Sequence, residues 1–258
     1  MVEADQILER ILDSNTSFEF GGVRDHRFGG NLLHFRGIPY ATIPERFAKP
    51  ILATSWREHG PSFTEYGALC PQPAFPVESS MCIPPNHGEQ NGSEGADIKF
   101  DEFTCCNLNV TCPEIRGATA SASRSRSKWP VYVWIHGGGQ SVSFPSAQNR
   151  LGDPGPLVAQ SIEMNKPIIL VTVNYRLNIF GFGDPDGVNV NLGMQDQATA
   201  VRWVQDYIYL FGGDPVGLTL SVLPKWKPLL LAAKLVCRKT SPSVVNRREP
   251  SIPMACSP

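Results

Sequence analysis

The sequence lacks the features that mark membrane, zinc-binding and secreted proteins. No apolar run approaches the roughly 20 residues that cross a bilayer, since "LLLAA" at 229–233 ends at Lys234, and we expect no membrane partner. None of the seven cysteines forms a C-x-x-C pair, and we expect neither a metal nor a cofactor. The N-terminal "MVEADQILERILDSN" has neither the basic start nor the apolar core of a secretory signal. We therefore predict a cytoplasmic protein with reduced thiols.

The chain also lacks a strong overall charge, and its charges are unevenly distributed. A net charge of −1 argues against a polyanion-binding role for the whole chain. Residues 222–258 nevertheless hold seven Lys and Arg and one acidic residue, whereas residues 1–221 hold 16 basic and 23 acidic residues. The basic stretch "RKTSPSVVNRR" at 238–248 has no aromatic platform, so we expect no nucleic-acid partner. The change of composition at 222 predicts two parts of different origin.

A regular α/β pattern begins in the middle of the chain. Three apolar runs are typical of strands in a parallel sheet that is covered on both faces: "VYVWI" (131–135), "PIILVTVNY" (167–175) and "GLTLS" (217–221). Between the first two, "GPLVAQSIEM" (155–164) predicts a crossover helix. A second helix is predicted over 193–210 by an apolar stripe at helical spacing: Met194, Ala198, Val201, Val204 and Ile208. This order predicts an α/β domain, and "SFEFGG", "NLLHFRGIPY" and "LNVTCP" are further strand candidates.

The segment His136–Gly139, "HGGG", follows the first of these strands directly. Consecutive glycines allow the backbone to point N–H groups into a cavity without interference from side chains. Two such groups aimed at one point stabilise the negative oxygen of a tetrahedral acyl-transfer intermediate. This role requires a nucleophile on a neighbouring turn. The alternative is a tight glycine loop that binds nothing.

Several separate motifs resemble, in the same order, the type-B carboxylesterases, the cholinesterase-like branch of the α/β-hydrolases. They are "FRGIPYA" (35–41), "CPQP" (70–73), "CNLNVTCP" (106–113), "PVYVWIHGGG" (130–139), "VTVNYRLNIFGF" (171–182) and "NLGMQDQATAVRWVQDYIYLFGGDP" (191–215). The resemblance implies an α/β-hydrolase fold with a mostly parallel central sheet and flanking helices. It also implies hydrolysis of small-molecule carboxylic esters by a serine nucleophile, through an acyl-enzyme.

The resemblance gives roles to the glycine-rich segment. Gly138 and Gly139 would supply two N–H groups of an oxyanion hole, and His136 and Gly137 would position the loop. Gln140 replaces an aromatic residue that many relatives have after the glycines, which leaves the shape of the acyl pocket open.

The resemblance also implies two pairings that fix the surroundings of the site. Cys70 and Cys105 match a pair that secreted relatives join in a disulfide. Arg176 matches an arginine that pairs with an acidic residue before the second of these cysteines. Here Phe103 and Thr104 occupy the usual acidic positions, which leaves Glu102 as the nearest candidate partner.

The catalytic residues themselves are missing from the sequence. Relatives continue from the strand matching "GLTLS" into G-x-S-x-G, but here the next five residues are "VLPKW", so Pro224 stands at the nucleophile's position. No G-x-S-x-G occurs elsewhere and no histidine follows His136, so no triad in the order Ser, Asp or Glu, His can be assembled. We predict an incomplete esterase domain over 1–221, truncated before the nucleophile elbow, and an irregular, Pro-containing basic tail over 222–258.

Three functional hypotheses follow. The first is a truncated carboxylesterase, inactive as written, whose reading frame changes after Ser221. The second is a non-catalytic, cholinesterase-like interaction protein, because binding requires a surface and no nucleophile. The third, an active enzyme that uses Ser221 or Cys237, lacks a later histidine as base and ranks last.

Overall fold

A computed structural model describes residues 6–13, 16–28, 31–54, 62–73, 99–114, 128–143, 152–183, 187 and 189–222. The strands in these ranges are β1 (Gln6–Asp13), β2 (Thr16–Asp25), β3 (Leu32–Pro39), β4 (Ala41–Thr42), β5 (Ile51–Leu52), β6 (Asn107–Pro113), β7 (Trp129–Ile135), β8 (Ile169–Val173) and β9 (Gly213–Val222). The α-helices are α1 (Gly155–Glu163), α2 (Asn178–Phe182) and α3 (Leu192–Tyr207). Apart from Val222, the predicted tail lies outside the described residues, and so do Pro224 and Cys237.

Seven of these strands form one mixed sheet in the order β1-β2-β3-β6-β8-β7-β9. The four pairings from β1 to β8 are antiparallel. Strands β8 and β9 both run parallel to β7. The parallel part therefore consists of the three strands predicted from continuous apolar runs. Strand β9 begins at Gly213, four residues before the predicted start at Gly217, and no strand is predicted over 6–13, where β1 pairs with β2.

Helices cover both faces of the parallel part, because successive side chains of a strand point to opposite faces. Val131 and Val133 of β7 belong to the main core, which includes Trp203 of α3. Tyr132 and Trp134, on the other face, pack against the cluster that holds Val158 and Ala159 of α1. The predicted crossover helix and the predicted second helix therefore lie on opposite faces of the sheet.

Helix α3 buries a face that differs in part from the predicted stripe. Val201, Val204 and Ile208 are buried as predicted, but Ala198 is exposed. Trp203, which is fully buried and the largest such side chain among the described residues, occupies the core beside them. A 3-10 turn over Ile208–Phe211 continues α3 and ends at Gly212, whose φ of 82° is the left-handed conformation that glycine adopts at helix ends.

Candidate active site

The glycine-rich segment lies where two parallel strands end. Strand β7 runs directly into His136. In the register of β7 with β9, Trp134 is opposite Ser221 and Ile135 is opposite Val222. The chain therefore leaves both strands at the same edge of the sheet. In open α/β sheets this edge, at the carboxyl ends of the strands, is where ligands bind.

The turn after His136 uses left-handed backbone at three consecutive residues. The φ angles are 110° at Gly138, 65° at Gly139 and 66° at Gln140. The turn closes through the carbonyl of Gly138, which accepts the N–H groups of Ser141 at 3.1 Å and Val142 at 3.2 Å. A Cβ atom on Gly138 would lie 1.9 Å from the Val142 carbonyl oxygen, so this position requires glycine.

Two backbone donors of this turn are not used within the described part of the chain. The N–H groups of Gly138 and Gly139 donate to no backbone carbonyl there. Gly139 is exposed, and a Cβ added to it would meet no atom within 4 Å. Among the described residues, the turn thus leaves these two donors without a backbone acceptor and the Cβ side of Gly139 open.

His136 is packed into the protein at the start of the turn. Its side chain is buried and stacks on the ring of Tyr175, with centroids 4.4 Å apart and planes 14° apart. The Tyr175 hydroxyl donates to the His136 carbonyl at 3.2 Å, and Nδ1 of His136 lies 2.9 Å from the carbonyl oxygen of Gly137. Burial lowers the pKa of His136 from 6.5 to about 4, so the imidazole is neutral at pH 7.

The predicted partner of Arg176 is wrong. Its guanidinium binds Asp196 of α3, with Nη2 2.8 Å from Oδ1 and Nε 2.9 Å from Oδ2. Glu102 instead binds Arg46 near the surface, at 2.5 Å. The reason is that α3 passes close to the segment after β8, where a Cβ on Gly193 would lie 2.5 Å from the Arg176 carbonyl oxygen, and Asp196 lies on the buried face of this helix. The sequence signal was an acidic residue four positions from Leu192 and from Ala200, both of which are buried on α3.

Cys70 and Cys105 form a disulfide, with Cα atoms 4.8 Å apart. The expectation of reduced thiols is therefore wrong for this pair, whose segments the fold brings together across 35 residues. The neighbouring Cys106 is a buried free thiol, and burial raises its pKa well above the ordinary value, which makes it a poor nucleophile. The cytoplasmic location stays a prediction.

Ser221, the nucleophile of the third hypothesis, lies within β9 opposite Trp134.

Within the ranges described above, no cluster of His, Cys, Asp and Glu side chains is arranged to hold a metal ion. The helices in those ranges are all too short or too polar to cross a membrane.

Known proteins resemble this chain in sequence and in fold. Lipase 3 of Yarrowia lipolytica is 37% identical over 192 residues, which are 74% of this chain and 36% of the lipase. The inactive carboxylesterase-like protein VdtD of Byssochlamys spectabilis is 33% identical over 218 residues, 81% of this chain and 33% of that protein. A solved PNB esterase superposes with a TM-score of 0.58 at 28% identity, covering 83% of this chain and 38% of the esterase.

The chain thus spans about a third of the length of these relatives. The structural match to esterases confirms the predicted α/β-hydrolase fold. The carboxylesterase family matches residues 19–221, which include all the motifs quoted above. The chain therefore belongs to the carboxylesterase family.

Proposed function

We propose that this chain carries the oxyanion-hole part of a carboxylic-ester hydrolase. The observation that carries the proposal is the parallel register of β7 and β9, which ends both strands beside His136–Gly139. In this proposal the N–H groups of Gly138 and Gly139 bind the ester oxygen as it becomes negative. His136 and Gly137 hold the turn in place, through the stacking on Tyr175 and the contact of the imidazole with the Gly137 carbonyl.

The chemistry of a complete site defines what these two donors contribute. A serine oxygen attacks the ester carbonyl and the C=O π electrons move to the carbonyl oxygen; when the carbonyl re-forms, the bond to the alcohol breaks. The alcohol leaves with a proton from the general acid, and water later releases the acid from the acyl-enzyme. Donors that bind the negative oxygen lower the barrier to both steps. Each donor raises the rate by about 10²–10³-fold.

We further propose that the 258-residue chain does not complete this reaction. Pro224 offers no hydroxyl, and no histidine follows His136 to act as base. The family match ends at residue 221, the position where the composition of the sequence changes. This coincidence supports the division into an incomplete esterase domain (1–221) and a basic tail (222–258).

A non-catalytic interaction protein is the second candidate. It is favoured by the 33% identity, over 81% of this chain, to a relative whose name describes it as inactive. The two proposals make different predictions about the origin of residues 222–258. A changed reading frame predicts that the genomic DNA after codon 221 encodes a G-x-S-x-G stretch in another frame. A genuine interaction protein predicts a spliced transcript that encodes the present tail.

The experiment that tests the proposal compares two proteins. One is the chain itself; the other joins residues 1–221 to the remaining part of the PNB esterase, which supplies the serine and the histidine. We expect only the fusion to be labelled by a fluorophosphonate probe and to hydrolyse p-nitrophenyl acetate with saturation. The same fusion with its nucleophilic serine changed to alanine is the control. Stoichiometric labelling of the chain itself, or a cooperatively folded fusion without esterase activity, would contradict the proposal.

A further inference from the structure

The turn after His136, over residues 137–143, is here called the glycine-rich turn. Its last residue, Ser143, is bound by a side chain from a distant segment. Oε1 of Gln72 accepts the backbone N–H of Ser143 at 2.6 Å, and Nε2 of Gln72 lies 2.8 Å from the Ser143 hydroxyl oxygen. One amide side chain therefore binds both the main chain and the side chain of Ser143. Two bonds to one residue fix its orientation as well as its position.

Asn178 attaches the middle of the same turn. Its backbone N–H donates to the carbonyl of Gln140 at 2.6 Å, and its side-chain Nδ2 donates to the carbonyl of Pro71 at 2.7 Å. Its φ of 45° is left-handed, a conformation that asparagine tolerates better than most residues. Asn178 thus joins the turn to the segment that carries Gln72.

That segment is itself fixed. Cys70 is bonded to Cys105, and Leu69 accepts from Asp101 and donates to Lys99 through the backbone, at 3.1 and 2.9 Å. The Asn107 side chain donates to the carbonyl of Ala68 at 2.8 Å. Gln72 and Pro71 therefore extend from a rigid base at the start of β6.

We propose that Gln72 and Asn178 are positioning residues that hold the N–H groups of Gly138 and Gly139 in a fixed direction. A turn with two adjacent glycines has unusual backbone freedom, and an oxyanion hole acts only when its donors point the right way beforehand. His136 fixes the start of the turn, and the two positioning residues fix its middle and its end. The inference rests on the proposed function for what the turn binds, but the attachment itself is testable without activity.

Hydrogen–deuterium exchange on the full chain, followed by peptide mass spectrometry, measures this attachment. Gln72→Met removes both bonds to Ser143 at nearly constant size, and Asn178→Gly removes the bond to Pro71 while tolerating the positive φ. We expect the hydrogen-bonded amides of Ser141, Val142 and Ser143 to exchange about tenfold faster in each variant, and those of α3 to be unchanged. Gln72→Glu keeps two acceptor oxygens for the N–H and O–H of Ser143. In this variant the turn should exchange as slowly as in the unchanged chain. Gln160→Met, which changes an exposed glutamine on α1, is the matched control.

Unchanged exchange of 141–143 in Gln72→Met and in Asn178→Gly would overturn the proposal. Equal acceleration in α3 would also overturn it, because it would show a general loss of stability. In the PNB esterase fusion, Gln72→Met should lower kcat about tenfold with KM within twofold of its starting value. A fusion without activity whose turn still depends on Gln72 would contradict only the proposed function. If Gln72→Met fails to fold, Ser143→Ala removes the hydroxyl side of the same contact and must accelerate exchange of the turn for the proposal to stand.

Discussion

Arg176 and Asp196 form a two-bonded ion pair whose side chains are 2% and 0% exposed. The backbone N–H of Arg176 also donates to Asp196, at 3.0 Å, and the guanidinium donates to the carbonyl of Ala48 at 2.8 Å. The pair thus joins the residues after β8 to α3 and to the segment before β5. These contacts hold the end of β8 in position next to β7, whose end leads into the glycine-rich turn.

Removing one partner of this pair should strongly destabilise the protein. Asp196→Ala leaves a buried guanidinium without its counter-charge, and we expect the free energy of unfolding to fall by about 3–5 kcal/mol. Urea unfolding followed by circular dichroism measures the loss. Asp206→Ala breaks the exposed pair with Arg202 on the same helix and should cost less than about 1 kcal/mol. Similar losses in the two variants would contradict the structural role of the buried pair.

The two adjacent glycines of the turn should respond differently to the same substitution. Gly139→Ala adds a methyl group in open space and should cost about 1–2 kcal/mol, the penalty of a left-handed residue. Gly138→Ala places a side chain at a φ of 110°, outside the region that other residues tolerate, and also overlaps the Val142 carbonyl, at a further cost of about 1–3 kcal/mol. Thermal unfolding compares the variants directly. A Gly139→Ala protein less stable than Gly138→Ala would show that the turn has another conformation.

His136 should make stability depend on pH between 6.5 and 4. Burial lowers its pKa in the folded state, so the unfolded chain binds a proton that the folded chain excludes. The free energy of unfolding should therefore fall as the pH falls through this window, by up to about 3 kcal/mol. His136→Asn keeps a donor for the Gly137 carbonyl and cannot titrate, so its urea midpoint should change less between pH 7 and 4.5. An identical pH profile in the variant would contradict this assignment.

A buried carboxylate, Asp25, titrates at lower pH than His136 and does not obscure its effect. Burial works to raise the pKa of Asp25, but hydrogen bonds from His34 and Arg27 hold it well below the ordinary value of 3.8. Stability from this carboxylate is present above pH 3.8 and is lost only as the pH falls below that value. Asp25 therefore contributes little to the change in stability between pH 7 and 4.5, and the His136→Asn comparison isolates the contribution of His136.

The disulfide should contribute measurably to stability. Cys70 and Cys105 close a loop across 35 residues, and releasing it should cost about 3–4 kcal/mol, because the unfolded chain gains conformational freedom. Reduction with dithiothreitol and the Cys70→Ser/Cys105→Ser variant should give the same loss in urea unfolding. Peptide mapping without reductant should recover the two cysteines in one linked peptide. Separate peptides would show that the pair is reduced in the purified protein.

Local sequence predicted the strands that form the parallel part of the sheet. Val131, Val133 and their neighbours in β7 are apolar without interruption, because both faces of that part of the sheet are covered by helices. It also located the glycine-rich turn, since a run of three glycines after such a strand permits backbone angles that other residues avoid. The face of α3 was predicted only in part, because the fit of Trp203 in the core, and not the apolar stripe alone, sets its rotation.

The sequence by itself determined the family, the segments that form the parallel strands and the position of the glycine-rich turn. These depend on residues that are neighbours along the chain or repeat at the period of a helix or strand. Only the tertiary structure decided that Arg176 binds Asp196 and that Gln72 and Asn178 hold the turn. Gln72 and Ser143 are 71 residues apart, and Asn178 and Pro71 are 107 apart, so no local pattern relates them. Such pairs form because the packed sheet and helices bring their segments within hydrogen-bond distance, where a buried donor or acceptor must find a partner.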